Sequence, residues 1–260
     1  MALGEWVERF LKDDRRIVLV ATLGVAAIAW IYLIVMAAGM HAPTIESMVQ
    51  LQPWTLTDTV LMFLMWAVMM VAMMVPSATP TILLYARVCR QRGIGGSTLP
   101  PTGAFLLGYL AVWTGFSFVA TVLQWGLERA ALLSPMMVST SPVFGGLLAI
   151  AAGLYQFVPY KSACLQFCRS PVEFLSTHWK HGDFGTFRMG IDRGLYCLGC
   201  CWGLMMLLFL GGVMNLLWIA AISLFVLVEK VAPWGDTFGR IGAVFLLVWG
   251  LALMLLPFTQ

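Results

Sequence analysis

The stretch Tyr196-Cys197-Leu198-Gly199-Cys200-Cys201-Trp202-Gly203-Leu204-Met205-Met206 opens a long apolar run, and its sulfur spacing is helical. On an α-helix Cys197, Cys200 and Cys201 stand at i, i+3 and i+4, so three thiols share one face, and Met205 continues the row a turn later. Upstream, Cys164 and Cys168 stand at i and i+4 and share a face if the helix continues past Pro159. Between the two groups lie His178 and His181 at i and i+3, followed by Asp183. Thiolate and thioether are the donors that suit Cu(I), whereas thiolate with imidazole suits zinc. Five of the six cysteines therefore fall at the ends of two neighbouring apolar segments. Consecutive segments tend to lie side by side. A Cys-x3-Cys face opposite a Cys-x2-Cys-Cys face makes trigonal or tetrahedral sulfur coordination geometrically easy.

A second row of soft donors comes from methionine. Met62, Met65, Met69 and Met73 trace one helical stripe, with Met70 and Met74 on the adjoining face. The candidate metal ligands are thus Cys164, Cys168, Cys197, Cys200, Cys201, Met205, His178, His181, Met69 and Met73. Bland readings stand beside this one. Methionine is adaptable core filler, buried cysteines are often inert, and histidines on a short amphipathic helix suit an interface. A structural disulfide is disfavoured, because cysteines at i and i+4 of one helix are poorly placed to bridge and the inner side of a membrane is reducing. A zinc clip tying a loop to the membrane remains open. Met36, Met40 and His41 could form an outer docking point for a soft metal or simply pack, and Cys89 reads as an interfacial cysteine.

The elements that must position these residues are apolar. The chain of 260 residues is 61% hydrophobic and 10% charged, against roughly 25% charged in a soluble domain. A hydrocarbon core needs about 20 apolar residues per helix, and seven segments come near that length: 17–39, 57–79, 103–124, 143–163, 194–212, 214–230 and 239–257. The first run is too long for the core of a cleaved signal peptide. Around Gly211, Gly212 and Asn215 the fifth and sixth segments form either a tight outer hairpin or one long bent element. With seven spans, fourteen of the fifteen Lys and Arg residues fall at the N-terminus and in the even-numbered connections, leaving Arg129 outside. The N-terminus is therefore expected in the cytoplasm. The expected fold is all-α: a polytopic transmembrane helix bundle of seven spans. Residues 1–16 would form an interfacial amphipathic helix, and 17–257 the transmembrane domain with a cytoplasmic Cys/His loop at 161–194.

Local signals refine this. Pro76 and Pro80 should loosen the inner end of the second span, and Gly145, Ala149 and Gly153 form a small-residue ridge for close helix approach. Ser170-Pro171-Val172-Glu173 reads as a capping box opening a short helix. Gly182 should stop that helix, and Gly185, Gly190 and Gly194 punctuate the chain before it re-enters the membrane. Glu229 and Lys230 read as an interfacial ion pair capping the sixth helix.

Several functions lack their residues. No ionisable group is expected at mid-membrane, which argues against a proton relay. There is no phosphate-binding Gly-x4-Gly-Lys-Ser/Thr loop, and no Ser, His and acid spacing that suggests hydrolysis. The basic residues border spans and make no nucleic-acid patch. The leading expectation is a membrane protein that binds a soft metal, copper(I) before zinc, for delivery, insertion or passage across the membrane. Its partners would be the lipid bilayer and a metallochaperone or copper enzyme. The alternatives are a membrane thiol-disulfide oxidoreductase using Cys197 and Cys200 and an interaction scaffold clipped by zinc.

The run Met65 to Ser77, the group Lys161, Cys164, Cys168, Arg169, Ser170 and Pro171, and the run Tyr196 to Met205 together resemble a bacterial family of predicted metal-binding integral membrane proteins, classed as a domain of unknown function. Glu229-Lys230 fits its end pattern, and the likeness runs from about residue 57 to 255. The resemblance implies a multi-span fold in a bacterial cytoplasmic (inner) membrane and a metal site, without an established reaction.

Overall fold

A computed structural model describes residues 14–39, 54–92, 99–134 and 138–255. The expected interfacial helix at 1–16, apart from its last residues, and the candidates Met40 and His41 lie outside the described residues. Among the described residues the protein is helical, with one isolated bridge between Leu133 and Ser139 and no named strand. The helices are α1 (Asp14–Gly39), α2 (Leu56–Gln91), α3 (Leu99–Arg129), α4 (Pro142–Tyr155), α5 (Pro159–Arg169), α6 (Pro171–His178), α7 (Gly182–Met205), α8 (Leu208–Gly211), α9 (Leu216–Val231) and α10 (Gly235–Leu255).

Five stretches are long and apolar enough to cross a membrane: 16–38, 56–91, 101–129, 182–211 and 235–255. A sixth arises if α4 and α5, which meet at a 66° bend, count as one span. The expected sixth segment is α9, whose 16 residues make only about 24 Å of helix. The open question at Gly211 and Gly212 resolves as a tight reversal: Gly212 has φ +95°, and the Asn215 side chain accepts from the Trp218 N–H to start α9. A side chain at Gly212 would be strained by that left-handed conformation.

α2 runs unbroken through both of its prolines, so the expected loosening does not occur. Pro76 has no N–H for the carbonyl of Ala72. The Trp30 indole of α1 donates to that carbonyl instead, at 3.2 Å, and fastens α1 to α2. The hydroxyls of Ser77 and Thr79 donate to the carbonyls of Met74 and Val75, supplying further bonds along this stretch.

The glycines read as punctuation behave differently. Gly185, Gly190 and Gly194 all lie inside α7, which is continuous from Gly182 to Met205. α7 packs along α3, and a Cβ at Gly190 would run into the Phe105 carbonyl, as one at Gly108 would into that of Phe187. Glycine here allows two backbones to approach closely, a use that composition does not separate from a loop. Of the ridge on α4, Gly153 lies against Ala243 and Leu247 of α10, whereas Gly145 faces Leu210 and Ser139, and the second close approach to α10 is made by Gly146 against Gly250.

Ser170 is the N-cap of α6, but its side chain makes no capping bond, so the expected capping box is absent. Its ψ of 75° lies outside the extended region of an ordinary N-cap. α6 ends at His178, ahead of Gly182, which opens α7 with φ +77°. Most of 161–194 is therefore helical.

Candidate metal centre

α7 presents Cys197, Cys200 and Cys201 on one buried face, as their spacing requires. The Cys200 and Cys201 thiols donate to the Cys197 carbonyl at 3.1 and 2.9 Å, which holds both side chains against their own helix. α5 packs on α7 and brings Cys168 to 3.8 Å from Cys200, sulfur to sulfur. Two metal–sulfur bonds of about 2.3 Å span at most about 4.6 Å, so one ion can bridge this pair without moving either helix. From α2, the Met74 thioether lies 4.0 Å from the Cys201 thiol.

Arg193, a turn before Cys197 and only 2% exposed, donates to the carbonyls of Phe167 at 2.6 Å and Cys168 at 2.9 Å. Those carbonyls close the C-terminal end of α5, where a guanidinium also meets the negative end of the helix dipole. Arg193 thereby fixes Cys168 relative to α7.

The expected ion pair between Glu229 and Lys230 is not formed. As neighbours on a helix they point apart. Glu229 pairs with Lys161 of α5, both almost fully buried. Lys230 reaches the sulfur cluster, its Nζ 2.9 Å from Cys197, 3.8 Å from Cys201 and 4.0 Å from the Met74 thioether. The Tyr109 hydroxyl of α3 lies 3.0 Å from the Cys197 sulfur and donates to the Met74 carbonyl at 3.2 Å. Ionisable groups are therefore buried in the bundle at Lys161, Arg193, Glu229 and Lys230, where the sequence places only loop and interfacial charges.

Cys164 packs beside Gly199 and Tyr160, a turn from Cys168. Met205 is buried one turn beyond Cys201. Met69 and Met73 are buried in the same core, but the contact from α2 to the cysteines is made by Met74. His178 stacks on Phe174 and shares a hydrogen bond of 3.1 Å with the Tyr196 hydroxyl, while His181 is the N-cap of α7 beside Trp179. Cys89 is buried in the core next to Tyr85.

No group of three or more Cys, His, Asp or Glu side chains forms a ready-made metal cage among the described residues. The thiols of Cys168, Cys197, Cys200 and Cys201 adjoin one another, with an ammonium inserted beside them. Thiols and a thioether are soft donors of the kind that suit Cu(I). Lys230 and Tyr109 are the groups that sequence reasoning misses. Only the resemblance, which draws attention to Glu229-Lys230, hints at one of them.

Fold and site define a class: an all-helical protein with several helices apolar and long enough for a membrane, built around a buried nest of thiols, a thioether and one ammonium. Residues 63–253 match the model of the PpoB2 family, described as copper chaperone. The match covers well over half of the chain, which belongs to that family. No curated protein and no solved structure matches the chain.

Proposed function

We propose that this chain is a multi-pass protein of a bacterial cytoplasmic membrane that takes up copper(I) on the buried thiols of α5 and α7 and passes it to a partner protein. Copper is its cargo. The observation that carries this reading is the Lys230 ammonium 2.9 Å from Cys197 inside an otherwise sulfur-lined nest. Charge buried at low dielectric is costly unless it is balanced nearby. Cu(I) held by two thiolates has a net charge of −1, which one ammonium cancels. Lys161 adds nothing to this balance, because Glu229 already neutralises it.

Cys168 and Cys200, 3.8 Å apart, are close enough to share one ion, with Cys197 and Cys201 as exchange partners and Met74 as a weaker thioether station. Weak stations matter because an ion must leave each one to move. Met69, Met73 and Met205 extend the soft lining through the core, and Cys164 extends it along α5. His178 and His181 are proposed only as peripheral ligands during handover. The membrane thiol-oxidoreductase reading is less favoured, because all six cysteines are buried and free, which leaves no exposed thiolate to attack a partner disulfide.

The test is anaerobic Cu(I) titration of detergent-purified protein against a chromophoric chelator, with elemental analysis. Wild type should retain stoichiometric copper that transfers to a soluble chaperone, and the Cys197→Ser/Cys200→Ser variant should retain none. Stoichiometric zinc that does not exchange would support the scaffold instead.

A further inference from the structure

A second site lies on the other side of α5 from the cysteines. The bend between α4 and α5 opens a cavity of about 570 Å³, walled by Gln156, Lys161, Arg169, Glu229, Asp236 and Arg240. Its volume is that of an ordinary small-ligand site. Most of its charge is internally satisfied: Lys161 by Glu229, and Arg169 by Asp236 at 2.6 Å and by the carbonyls of Ala232 and Pro233. Two groups are not. Gln156 is 6% exposed, yet neither its amide oxygen nor its amide nitrogen has a partner. Arg240, exposed where it lines the cavity, faces no carboxylate within ion-pair distance among the described residues.

A buried side-chain amide with nothing to bond is rare in native proteins and calls for a ligand or water. What these walls lack is a negative group for a guanidinium and, beside it, a combined donor and acceptor for an amide. We propose that this cavity binds a phosphate ester carrying a neighbouring hydroxyl, with the phosphate on Arg240 and the hydroxyl on Gln156. Guanidinium pairs well with phosphate oxygens in two-pronged geometry. A hydroxyl both donates and accepts, so one hydroxyl with its neighbouring oxygen meets both ends of the amide. The same chemistry occurs in the headgroup of an anionic glycerophospholipid and in a soluble glycerol phosphate. Phe157, next to Gln156, and Ile241, next to Arg240, are exposed, and an acyl chain leaving the cavity could lie along them. Basic pockets between membrane helices hold lipid headgroups in this way.

The test uses full-length protein in a neutral detergent and follows thermal unfolding with three additions: phosphatidylglycerol, phosphatidylcholine and soluble glycerol 1-phosphate. The proposal expects phosphatidylglycerol, glycerol 1-phosphate or both to raise the melting temperature by several degrees, while phosphatidylcholine at the same concentration does not. A shift with the lipid alone identifies the headgroup as the source, and a shift with glycerol 1-phosphate identifies a soluble anion. Arg240→Gln should abolish the shift. Gln156→Leu, which removes the unmet amide, should fold at least as stably as wild type in detergent alone yet lose the shift. Equal shifts with phosphatidylglycerol and phosphatidylcholine, no shift with any addition, or a full shift in both variants would overturn the proposal. Neither residue touches the sulfur cluster, so copper binding is a separate measurement.

Discussion

Replacing Lys230 by Leu removes the ammonium beside Cys197 and Cys201 while leaving a side chain of comparable bulk. If that charge balances a two-thiolate copper complex, Lys230→Leu should bind Cu(I) at least about tenfold more weakly, a change of about 1.4 kcal/mol. Lys230→Arg should recover part of the loss. Competition with a chromophoric chelator reads both, and equal affinities in wild type and Lys230→Leu would remove the charge argument. Cys89→Ser is the matched control, since Cys89 is buried beside Tyr85 rather than in the sulfur cluster. It should leave the copper load intact, whereas Cys200→Ser should lose it. At this scale the sequence was legible only where the pattern is local. The shared face of Cys197, Cys200 and Cys201 follows from helical period alone. Lys230 and Tyr109 reach the same sulfurs from helices 33 and 88 residues away, and nothing in their own neighbourhoods marks them.

The elements hold these residues through close backbone contact and through carbonyls that find unusual donors. At Gly190 a methyl group has no room against Phe105 of α3. Gly190→Ala should therefore cost about 1–3 kcal/mol, read as a lower melting temperature in detergent, whereas Gly103→Ala, with open space at that position, should be nearly neutral. Arg193→Met should leave the end of α5 uncapped, lowering both stability and copper affinity. A variant that loses stability but keeps full affinity would show that Arg193 does not position Cys168. The glycines of α7 show why the reading of 182–194 as a punctuated loop failed: the property that breaks helices in water also lets them cross tightly, and only the facing helix decides between the two. The ridge on α4 was legible in part: Gly153 meets α10 as its spacing suggests, but Gly146, outside the four-residue repeat, makes the other close approach.

For the whole molecule, the all-helical class and the apolar segments were readable from composition and length, while the count of crossings was not. α4 and α5 share one segment across a 66° bend, and α9 is short. If α9 crosses along with the five long stretches and the α4–α5 pair, a cytoplasmic N-terminus puts the C-terminus outside. A C-terminal alkaline phosphatase fusion should then be active and a fluorescent-protein fusion dark, and the reverse pattern would remove one span from the account. That sulfur atoms from α5 and α7 hold copper(I) together is the central claim. X-ray absorption at the copper edge of anaerobically loaded, detergent-purified protein measures it most directly. The account predicts a first shell of sulfur alone around monovalent copper, lost in Cys168→Ser/Cys200→Ser. A shell dominated by nitrogen or oxygen, or an unchanged sulfur shell in that variant, would contradict it.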